Sequence, residues 1–396
     1  MAGVRRAEAW RFIILLGLVS LMADVTYEGA RSLIGPYLAV LGASAAVVGA
    51  LGGIGELIGY GLRPLAGYLA DRLRRPWALT IAGYAVSVFA VPLLALARTW
   101  PAAAALLLAE RLGKALRTPA RDTMLSYAAA EVGAGKGFGL HEALDQIGAV
   151  GGPLLMAALL GLTGRYDIAF AALIVPALST IGVLGAARTL YPAPARFEAA
   201  EAAAPAGSLG LRRPAFRRYL AFVALSVAGL APFSLIAFHV KREALLPDPA
   251  IPALFAAAML VDAAAGLAFG MLYDRVSFRA LLALPLCTAL LVPLAFSGHA
   301  LAVLAGAMLW GVVLGGQETI MRAAVPPLVS PEERGTAYGL FNGAYGLAWF
   351  LGSAAIGALY EAWRGGILVF VGLLELAALA ALLPLLRRGP GEAIAS

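Results

Sequence analysis

The chain has 396 residues, of which 61% are apolar and only 13% are charged, and its mean hydropathy is +0.85. A soluble globular protein carries about 25% charged residues, so this composition excludes an ordinary soluble domain. The single cysteine, Cys287, excludes an internal disulfide and gives no sign of a metal site. Apolar runs long enough to cross a bilayer recur along the chain, which indicates a polytopic, all-α membrane protein.

The hydrophobic pattern predicts twelve transmembrane helices, which we number as spans 1 to 12 in chain order. Spans 1 to 6 are predicted at 10–41, 45–71, 76–97, 101–129, 135–162 and 168–190. Spans 7 to 12 are predicted at 215–245, 250–274, 278–297, 299–329, 334–361 and 365–386. The long polar connection between the two sets predicts an N-terminal six-helix bundle over 1–190, a cytoplasmic linker over 191–214 and a C-terminal six-helix bundle over 215–396.

Positive charge is concentrated on one side of the predicted membrane. If both termini are cytoplasmic, most Lys and Arg residues fall in cytoplasmic loops, and the opposite side holds only Arg98, Arg165, Lys241, Arg242 and Arg364. This positive-inside pattern predicts a multi-pass protein of the cell (inner) membrane with both termini in the cytoplasm. The net charge of +7 is therefore a sign of topology, and we expect no nucleic-acid partner.

A loop motif occurs twice. Gly67, Asp71 and Arg72 stand where span 2 ends in a short basic loop, and the same spacing returns 203 positions later as Gly270, Asp274 and Arg275, at the end of span 8. Shorter echoes, such as Ser32-Leu-Ile and Ser234-Leu-Ile, keep nearly the same offset. A nearly constant offset indicates two copies of one membrane-embedded unit, which is a common plan of secondary transporters.

Two pseudo-symmetric six-helix halves with this motif resemble the major facilitator superfamily over essentially the whole chain. The first copy fits the family's loop signature at Gly67, Asp71, Arg72 and Arg75, and the second fits it at Gly270, Asp274 and Arg275. Arg74 stands where the family usually has glycine. The resemblance implies alternating access, with spans 1, 4, 7 and 10 lining a central cavity. The motif residues are then expected to act as a conformational latch, because Asp71 could face the positive N-terminal dipole of span 11. The alternative is a solvated loop charge.

Span 5 carries Gly148-Ala-Val-Gly151-Gly152-Pro153, which is similar to the family's antiporter motif. Met156 and Ala157 stand where that motif has a second glycine pair. Glycine pairs four residues apart, such as Gly49/Gly53 in span 2 and Gly148/Gly152 in span 5, let helix backbones approach closely. These pairs serve either the interface between the two halves or packing within one half.

Charged residues inside spans are costly unless they pair or line a cavity, so they are the strongest candidates for function. In span 1, Asp24 and Glu28 share a face, with Tyr27 between them and Arg31 three residues beyond Glu28. Two acids on one face suit a proton carrier, whereas a Glu28–Arg31 pair alone would be structural. In span 2, Glu56, Tyr60 and Arg63 are further candidates for the cavity, and Glu56 also for proton coupling.

Spans 4 and 5 add bases, acids and one histidine. Arg111 is expected to tune a nearby acid or to meet an anionic group, whereas Lys114 and Arg117 are expected to extend toward the cytoplasm. His141, Glu142 and Asp145 are proton-coupling candidates, because His141 and Asp145 lie four residues apart on one helix face. In the C-terminal half, the cavity candidates are Asp262, Gln317, Asn342, Tyr345 and Trp349.

The leading interpretation is a proton-coupled secondary transporter that exports a small solute by antiport. Two alternatives stay open: a proton-coupled or facilitative importer of a metabolite or metal chelate, and a membrane sensor that binds a ligand without moving it. No phosphate-binding loop, nucleophile motif or metal-ligand spacing is present, so we expect no enzyme activity, no cofactor and no bound metal. The expected partners are a small-molecule substrate, protons and the lipid bilayer, and the protein is expected to be a monomer.

Overall fold

The computed structural model describes residues 2–197 apart from 64, 67, 69–71 and 73–74, together with residues 214–329 and 334–387. In this part of the chain all regular structure is helical. In the first half the helices are Ala2–Val40 for span 1, Ala45–Gly61 for span 2, Pro76–Ala90 for span 3, Trp100–Val132 for span 4, Ala134–Thr163 for span 5, and Tyr166–Ala172 with Ile174–Leu190 for span 6. A 3-10 turn, Pro92–Leu96, extends span 3.

In the second half several spans are built from more than one segment. The helices are Pro214–Ala228 and Phe233–Arg242 for span 7, Ala250–Val276 for span 8, and Ser277–Leu282 with Ala283–Ala295 for span 9. Span 10 is Ala300–Gly316 followed by the π-helical turn Gln317–Met321, span 11 is Arg334–Ala362, and span 12 is Gly365–Arg387.

The predicted spans are all represented among the described residues. Nine helices there are long and apolar enough to cross a membrane, and one of them, Ala250–Ala295, covers both span 8 and span 9. Span 2 is represented by a shorter apolar helix, Ala45–Gly61. Span 4 is 33 residues long but carries the charged residues that give it a low mean hydropathy. The fold is therefore the expected all-α membrane architecture of twelve helices.

Span 7 differs from its prediction as one continuous helix over 215–245. The helix stops at Ala228 and starts again at Phe233, which leaves Gly229–Pro232 outside helical structure. Proline lacks the N–H that a helix interior needs, and it disfavours helical geometry in the residue before it. The sequence pattern could not show this break because all four residues are themselves compatible with an apolar span.

The described helices form two compact units. The first comprises described residues within 1–37, 62–202 and 248–256, and the second comprises those within 38–61, 203–247 and 257–396. In the second unit the helix Ala45–Gly61 packs along span 11, where Gly49 and Gly53 lie against the backbone of Ser353 and Phe350. The predicted domain boundaries at 190 and 215 stay a prediction, and most of the predicted linker, 198–213, lies outside the described residues.

An aromatic cluster lies in the first unit near the N-terminal end of span 1. Phe12 of span 1 contacts the rings of Trp77, Tyr191 and Phe197, with ring centres 5.1 to 6.1 Å apart. Trp77 Nε1 donates a hydrogen bond of 3.1 Å to the carbonyl oxygen of Tyr191. These contacts bind the chain that follows span 6 to spans 1 and 3.

Candidate functional site

Spans 1, 4 and 5 bring a group of charged side chains together in the first unit. Asp24 and Glu28 of span 1 are 6% and 4% exposed. Asp145 of span 5 and Lys114 of span 4 lie close enough to Asp24 to act on it electrostatically. Span 5 can approach because Gly148 lies against the carbonyl oxygen of Leu21, where a side chain would clash. The structure thus brings the predicted acids Glu28 and Asp145 close to Asp24, together with the bases Lys114 and Arg117.

The bases of this group pair with aromatic rings and acids. Lys114 Nζ lies 3.7 Å from the centre of the Tyr27 ring, a cation–π contact. Arg31 Nη1 lies 3.3 Å from Glu28 Oε1, which is the pair expected from their spacing. Glu28 Oε2 and Asp145 Oδ1 are buried and have no hydrogen-bond partner among the described residues. These free acceptor atoms are available to a proton or to a donor group of a bound solute.

His141 joins the acids to a hydrogen-bonded chain. Its Nε2 is 3.0 Å from Ser20 Oγ, and its Nδ1 is 4.0 Å from Asp145 Oδ2. Arg121 Nη1 donates to the same Ser20 hydroxyl at 2.9 Å. Ser20 Oγ is also 3.4 Å from the Tyr84 hydroxyl. Because Ser20 Oγ accepts from Arg121, its own proton can be donated to His141 Nε2 or to the Tyr84 hydroxyl. The arrangement can pass a proton between His141 and Asp145 after a small movement.

Ser20, Tyr84 and Arg121 were not predicted as site residues. The sequence indicates Arg121 as part of the predicted cytoplasmic positive charge and of the stretch Arg117–Asp122, which is similar to an exporter-like prokaryotic branch of the family. The two hydroxyls carry no local sequence signal.

Arg117 and Lys114 also differ from their expectation. Arg117 is only 2% exposed, and its guanidinium lies 4.0 Å from the centre of the Tyr84 ring, so it does not extend to water. Lys114 lies over the Tyr27 ring in the same way. These cation–π contacts offset part of the cost of burying the two charges.

Three other predicted residues of the first unit have different surroundings. Glu142 is exposed and accepts a 3.4 Å hydrogen bond from Gln146. Arg111 forms an ion pair of 3.3 Å with its neighbour Glu110 and acts electrostatically on Lys114. Arg63 is half-buried. Arg111 is therefore linked to the charged group through Lys114.

The second unit holds an aromatic and amide group on spans 2, 10 and 11. The rings of Tyr60 and Tyr345 lie 4.9 Å apart, and those of Tyr345 and Trp349 lie 5.6 Å apart. The Tyr345 hydroxyl donates a 3.4 Å hydrogen bond to Gln317 Oε1. Gln317 Nε2 and Trp349 Nε1 are buried donors without a hydrogen-bond partner in the described part of the chain. Unsatisfied buried donors at a π-helical turn are typical of a ligand site.

Charged residues accompany this aromatic group. Glu56, Glu318 and Arg322 lie close enough to Tyr345 to act on it electrostatically. Asp262 is 3% exposed, and span 8 packs closely on span 10 there, with the Asp262 backbone beside Gly311 and Gly315. Asn342 is half-buried. The structure therefore brings Glu56, Tyr60, Gln317, Tyr345 and Trp349 together.

The latch residues are described only in part. Gly67 and Asp71 lie outside the described residues. Arg72 Nη1 donates a 3.3 Å hydrogen bond to the Tyr68 hydroxyl, and the exposed Arg75 directly precedes span 3. Gly270 packs near Thr319 of span 10, and Asp274 and Arg275 are exposed. The latch stays a prediction.

No group of three His, Cys, Asp or Glu side chains among the described residues is placed to hold a metal ion.

The family model for the Major Facilitator Superfamily matches residues 14–244 and 241–395. The chain belongs to the major facilitator superfamily. An uncharacterised protein of Mycobacterium tuberculosis is 43% identical over 378 residues, which is 94% of this chain and 92% of the relative. An uncharacterised MFS-type transporter of Methanocaldococcus jannaschii is 32% identical over 148 residues, or 37% of each chain.

Solved structures of major facilitator proteins share this fold. The peptide transporter POT with sulfate has a TM-score of 0.76 at 16% identity, covering 95% of this chain and 94% of its own. The nucleoside transporter NupG has a TM-score of 0.74 at 15% identity, covering 93% and 98%. A bacterial homologue of the lysosomal transporter Spinster has a TM-score of 0.68 at 15% identity, covering 96% and 94%. At these identities the likeness concerns the fold alone.

Proposed function

We propose that this major facilitator superfamily transporter exports a small solute in exchange for protons, and that the acids around Lys114 carry the protons. The observation that carries the proposal is the buried Asp24, which has two further acids, Asp145 and Glu28, close enough to act on it. Glu28 pairs with Arg31, and Lys114 and Arg117 also lie near Asp24. Because neighbouring acids in a buried site are costly to ionise together, we propose that Asp24 and Asp145 share the exchangeable proton. Such a group is typical of proton-driven carriers.

The proposed direction of transport is export, because Gly148–Pro153 resembles an antiporter motif. Structural neighbours with the same fold are a peptide transporter and a nucleoside transporter, so an importer is the alternative. We further propose that the protein is a monomer of the cell inner membrane. Both termini are proposed to lie in the cytoplasm, because the loops on that side carry most of the positive charge.

The test uses purified protein in liposomes that enclose a pH-sensitive dye. Cationic drugs, peptides, nucleosides, sugars and metal chelates are added one at a time, first to find a solute that moves. Antiport predicts that the solute and protons cross in opposite directions, and symport predicts the same direction. Solute movement without a pH change would contradict proton coupling, and binding without movement of any solute would indicate a sensor.

Matched variants then locate the protons. Asp24→Asn and Asp145→Asn are expected to lower solute-driven proton flux by about tenfold or more, because each removes an exchangeable acid. Glu142→Gln is the control, since Glu142 lies on span 5 near Asp145 in sequence but is exposed, whereas Asp145 is half-buried. Equal losses in Glu142→Gln and Asp145→Asn would contradict the assignment.

A further inference from the structure

Glu375 of span 12 has a buried carboxyl that belongs to neither group described above. Its side chain is 2% exposed, and neither carboxylate oxygen has a hydrogen-bond partner among the described residues. A buried ionised carboxylate costs several kcal/mol unless a cation or hydrogen-bond donors compensate it. The surroundings of Glu375 therefore decide whether its carboxyl is ionised or neutral.

The carboxyl lies at the break in span 7. Span 12 packs along the helix Pro214–Ala228, and Glu375 Oε1 occupies the space that a Cβ atom on Gly229 would fill. Gly229 follows the last residue of that helix, so the carboxyl faces a helix C-terminus, where free carbonyl groups carry partial negative charge. That environment repels a carboxylate, whereas a neutral carboxylic acid can donate a hydrogen bond to a carbonyl oxygen.

The helices around Glu375 supply no compensating charge. The segments packed against span 12 are Pro214–Ala228, Ser277–Leu282, Ala283–Ala295 and Arg334–Ala362. Among their described residues, Ser226 is the polar side chain beside the carboxyl, and no charged or titratable side chain acts on it. The buried Ser226 hydroxyl is near enough to turn toward the carboxyl, although the two groups do not meet in a well-formed hydrogen bond. A proton on the Glu375 carboxyl would let it donate a hydrogen bond to the Ser226 hydroxyl or to a carbonyl oxygen at the helix end.

The break is also a meeting point of other helices in the second unit. Trp310 Nε1 of span 10 donates a 3.0 Å hydrogen bond to the carbonyl oxygen of Ala231, and its ring packs on Phe233 at 5.2 Å. Gly52 of span 2 faces Pro232 and Ser234. A change in the state of Glu375 therefore acts on a segment whose contacts extend to spans 2, 10 and 12.

We propose that Glu375 is a second proton-binding site, whose neutral acid fills the space beside Gly229 and stabilises the bent form of span 7. Loss of the proton places a negative charge against the helix C-terminus and loosens the Gly229–Pro232 segment. In the middle of a membrane span, about ten residues or roughly 15 Å from the start of span 12, the site depends on protein motion for access to water. The transport role of this proton rests on the proposed function, but the protonation itself does not.

The experiment is infrared spectroscopy of the full protein in lipid nanodiscs over a pH series without added sodium, with hydrogen exchange measured on the same samples. The wild type is expected to show a protonated-carboxyl band that shifts when glutamate is labelled with carbon-13 and that is absent in Glu375→Gln. Raising the pH should remove this band and speed backbone exchange around Gly229–Pro232 in the wild type. The Glu375→Gln variant should keep slow exchange at every pH, because its side chain stays neutral.

Further variants keep the outcomes distinct. Asp145→Asn and Asp24→Asn should leave the Glu375 band unchanged, so a failure of the proposed proton coupling at those acids does not remove this site. Ser226→Ala should shift the band because it changes the nearest polar neighbour, and it serves as the test if Glu375→Gln does not fold. The inference is overturned if the band difference is missing, or if sodium removes the band at constant pH, which would indicate a cation site in place of a proton site.

Discussion

Two buried indole N–H groups in the second unit differ in one respect that decides their roles. Trp310 Nε1 donates to the carbonyl oxygen of Ala231, whereas Trp349 Nε1 has no acceptor among the described residues. A buried donor without a partner costs about 1–3 kcal/mol. Stability therefore explains the Trp310 N–H but not the Trp349 N–H, which together with Gln317 Nε2 is free to bind a polar group of a solute.

Replacing each tryptophan with phenylalanine tests whether the two N–H groups contribute differently to stability. Trp349→Phe is expected to leave the melting temperature of the solute-free protein unchanged or slightly raised, because it removes an unsatisfied donor. Trp310→Phe should lower stability by about 1–2 kcal/mol, because it leaves the Ala231 carbonyl unpaired at the span 7 break. Thermal unfolding in detergent measures both.

The two variants should also differ in binding. A solute identified in the liposome assay raises the melting temperature of the wild type in proportion to its occupancy. This stabilisation should weaken in Trp349→Phe and persist in Trp310→Phe. If Trp349→Phe binds the solute as the wild type does, the aromatic and amide group on spans 2, 10 and 11 is structural.

How far the sequence predicts the residues depends on how far apart the partners lie in the chain. The Glu28–Arg31 pair follows from helical spacing, and it is present at 3.3 Å. The contacts of Ser20 with His141 and Arg121 join residues more than a hundred positions apart on three helices, so helical periodicity carries no information about them. The gathering of Asp24 and Asp145 likewise depends on packing of spans 1 and 5.

At the scale of helices, two glycines of span 5 allow its close packing against span 1. Gly148 and Gly152 of span 5 lie against the backbone of span 1, where a Cβ on Gly152 would come 2.5 Å from the carbonyl oxygen of Val25. Gly151, one residue earlier, has open space around it, and a Cβ placed there would meet no neighbour within 4 Å. The pair Gly148/Gly152 therefore serves packing within the first unit, which is one of the two roles left open by its spacing.

Gly152→Ala and Gly151→Ala separate packing from helix propensity. Gly152→Ala is expected to lower stability by about 1–3 kcal/mol, because spans 1 and 5 must move apart. Gly151→Ala should raise stability by up to about 1 kcal/mol, since alanine is the better helix former. Thermal unfolding in detergent is the measurement, and equal effects of the two variants would contradict the close contact of spans 1 and 5.

The loops at the ends of spans 7 and 11 are joined by an exposed ion pair. Arg364 Nη2 donates to Glu243 Oε1 at 2.5 Å, and this hydrogen bond lowers the pKa of Glu243. Because the folded pKa is lowered, the pair stabilises the protein at neutral pH, and the contribution is lost as the pH falls through the folded pKa. Both side chains are substantially exposed, so the contribution is below about 1 kcal/mol.

The expected result is a small, pH-dependent loss of stability in Glu243→Gln. Its melting temperature should lie slightly below that of the wild type at neutral pH, and the two should converge in acid, where the wild-type carboxylate is protonated. Arg364→Gln should cause a similar loss at neutral pH, and the double variant should add little to either single one. Additive losses would show that the two side chains do not interact in solution.

At the scale of the whole molecule, the apolar runs and the repeated loop motif predict the number of helices and the family. They predict the breaks inside helices poorly, because Gly229–Pro232 and the π-helical turn at Gln317 lie within runs that are apolar on average. A helix that bends or widens inside the membrane needs neighbours that satisfy its backbone, as Trp310 does for Ala231, and such neighbours are chosen by the tertiary fold.

The orientation in the membrane is the remaining whole-molecule prediction, and the single cysteine makes it easy to test. In a Cys287→Ser background, cysteine is placed at Gly298, in the exposed loop between spans 9 and 10, or at Ala193, exposed after span 6. Charge placement predicts that Gly298 lies outside and Ala193 inside. A membrane-impermeant maleimide added to intact cells should therefore label Gly298→Cys, and should label Ala193→Cys only after the cells are opened.

The result also decides which side of the membrane supplies the protons. With the predicted orientation, the His141, Arg121 and Ser20 chain lies on the cytoplasmic side of Asp24, because span 1 runs outward from its N-terminus and Ser20 precedes Asp24 by one turn. Protons that enter with the external gradient would then reach Asp24 before His141. Labelling of Ala193→Cys in intact cells would show the opposite orientation. External protons would then reach His141 before Asp24.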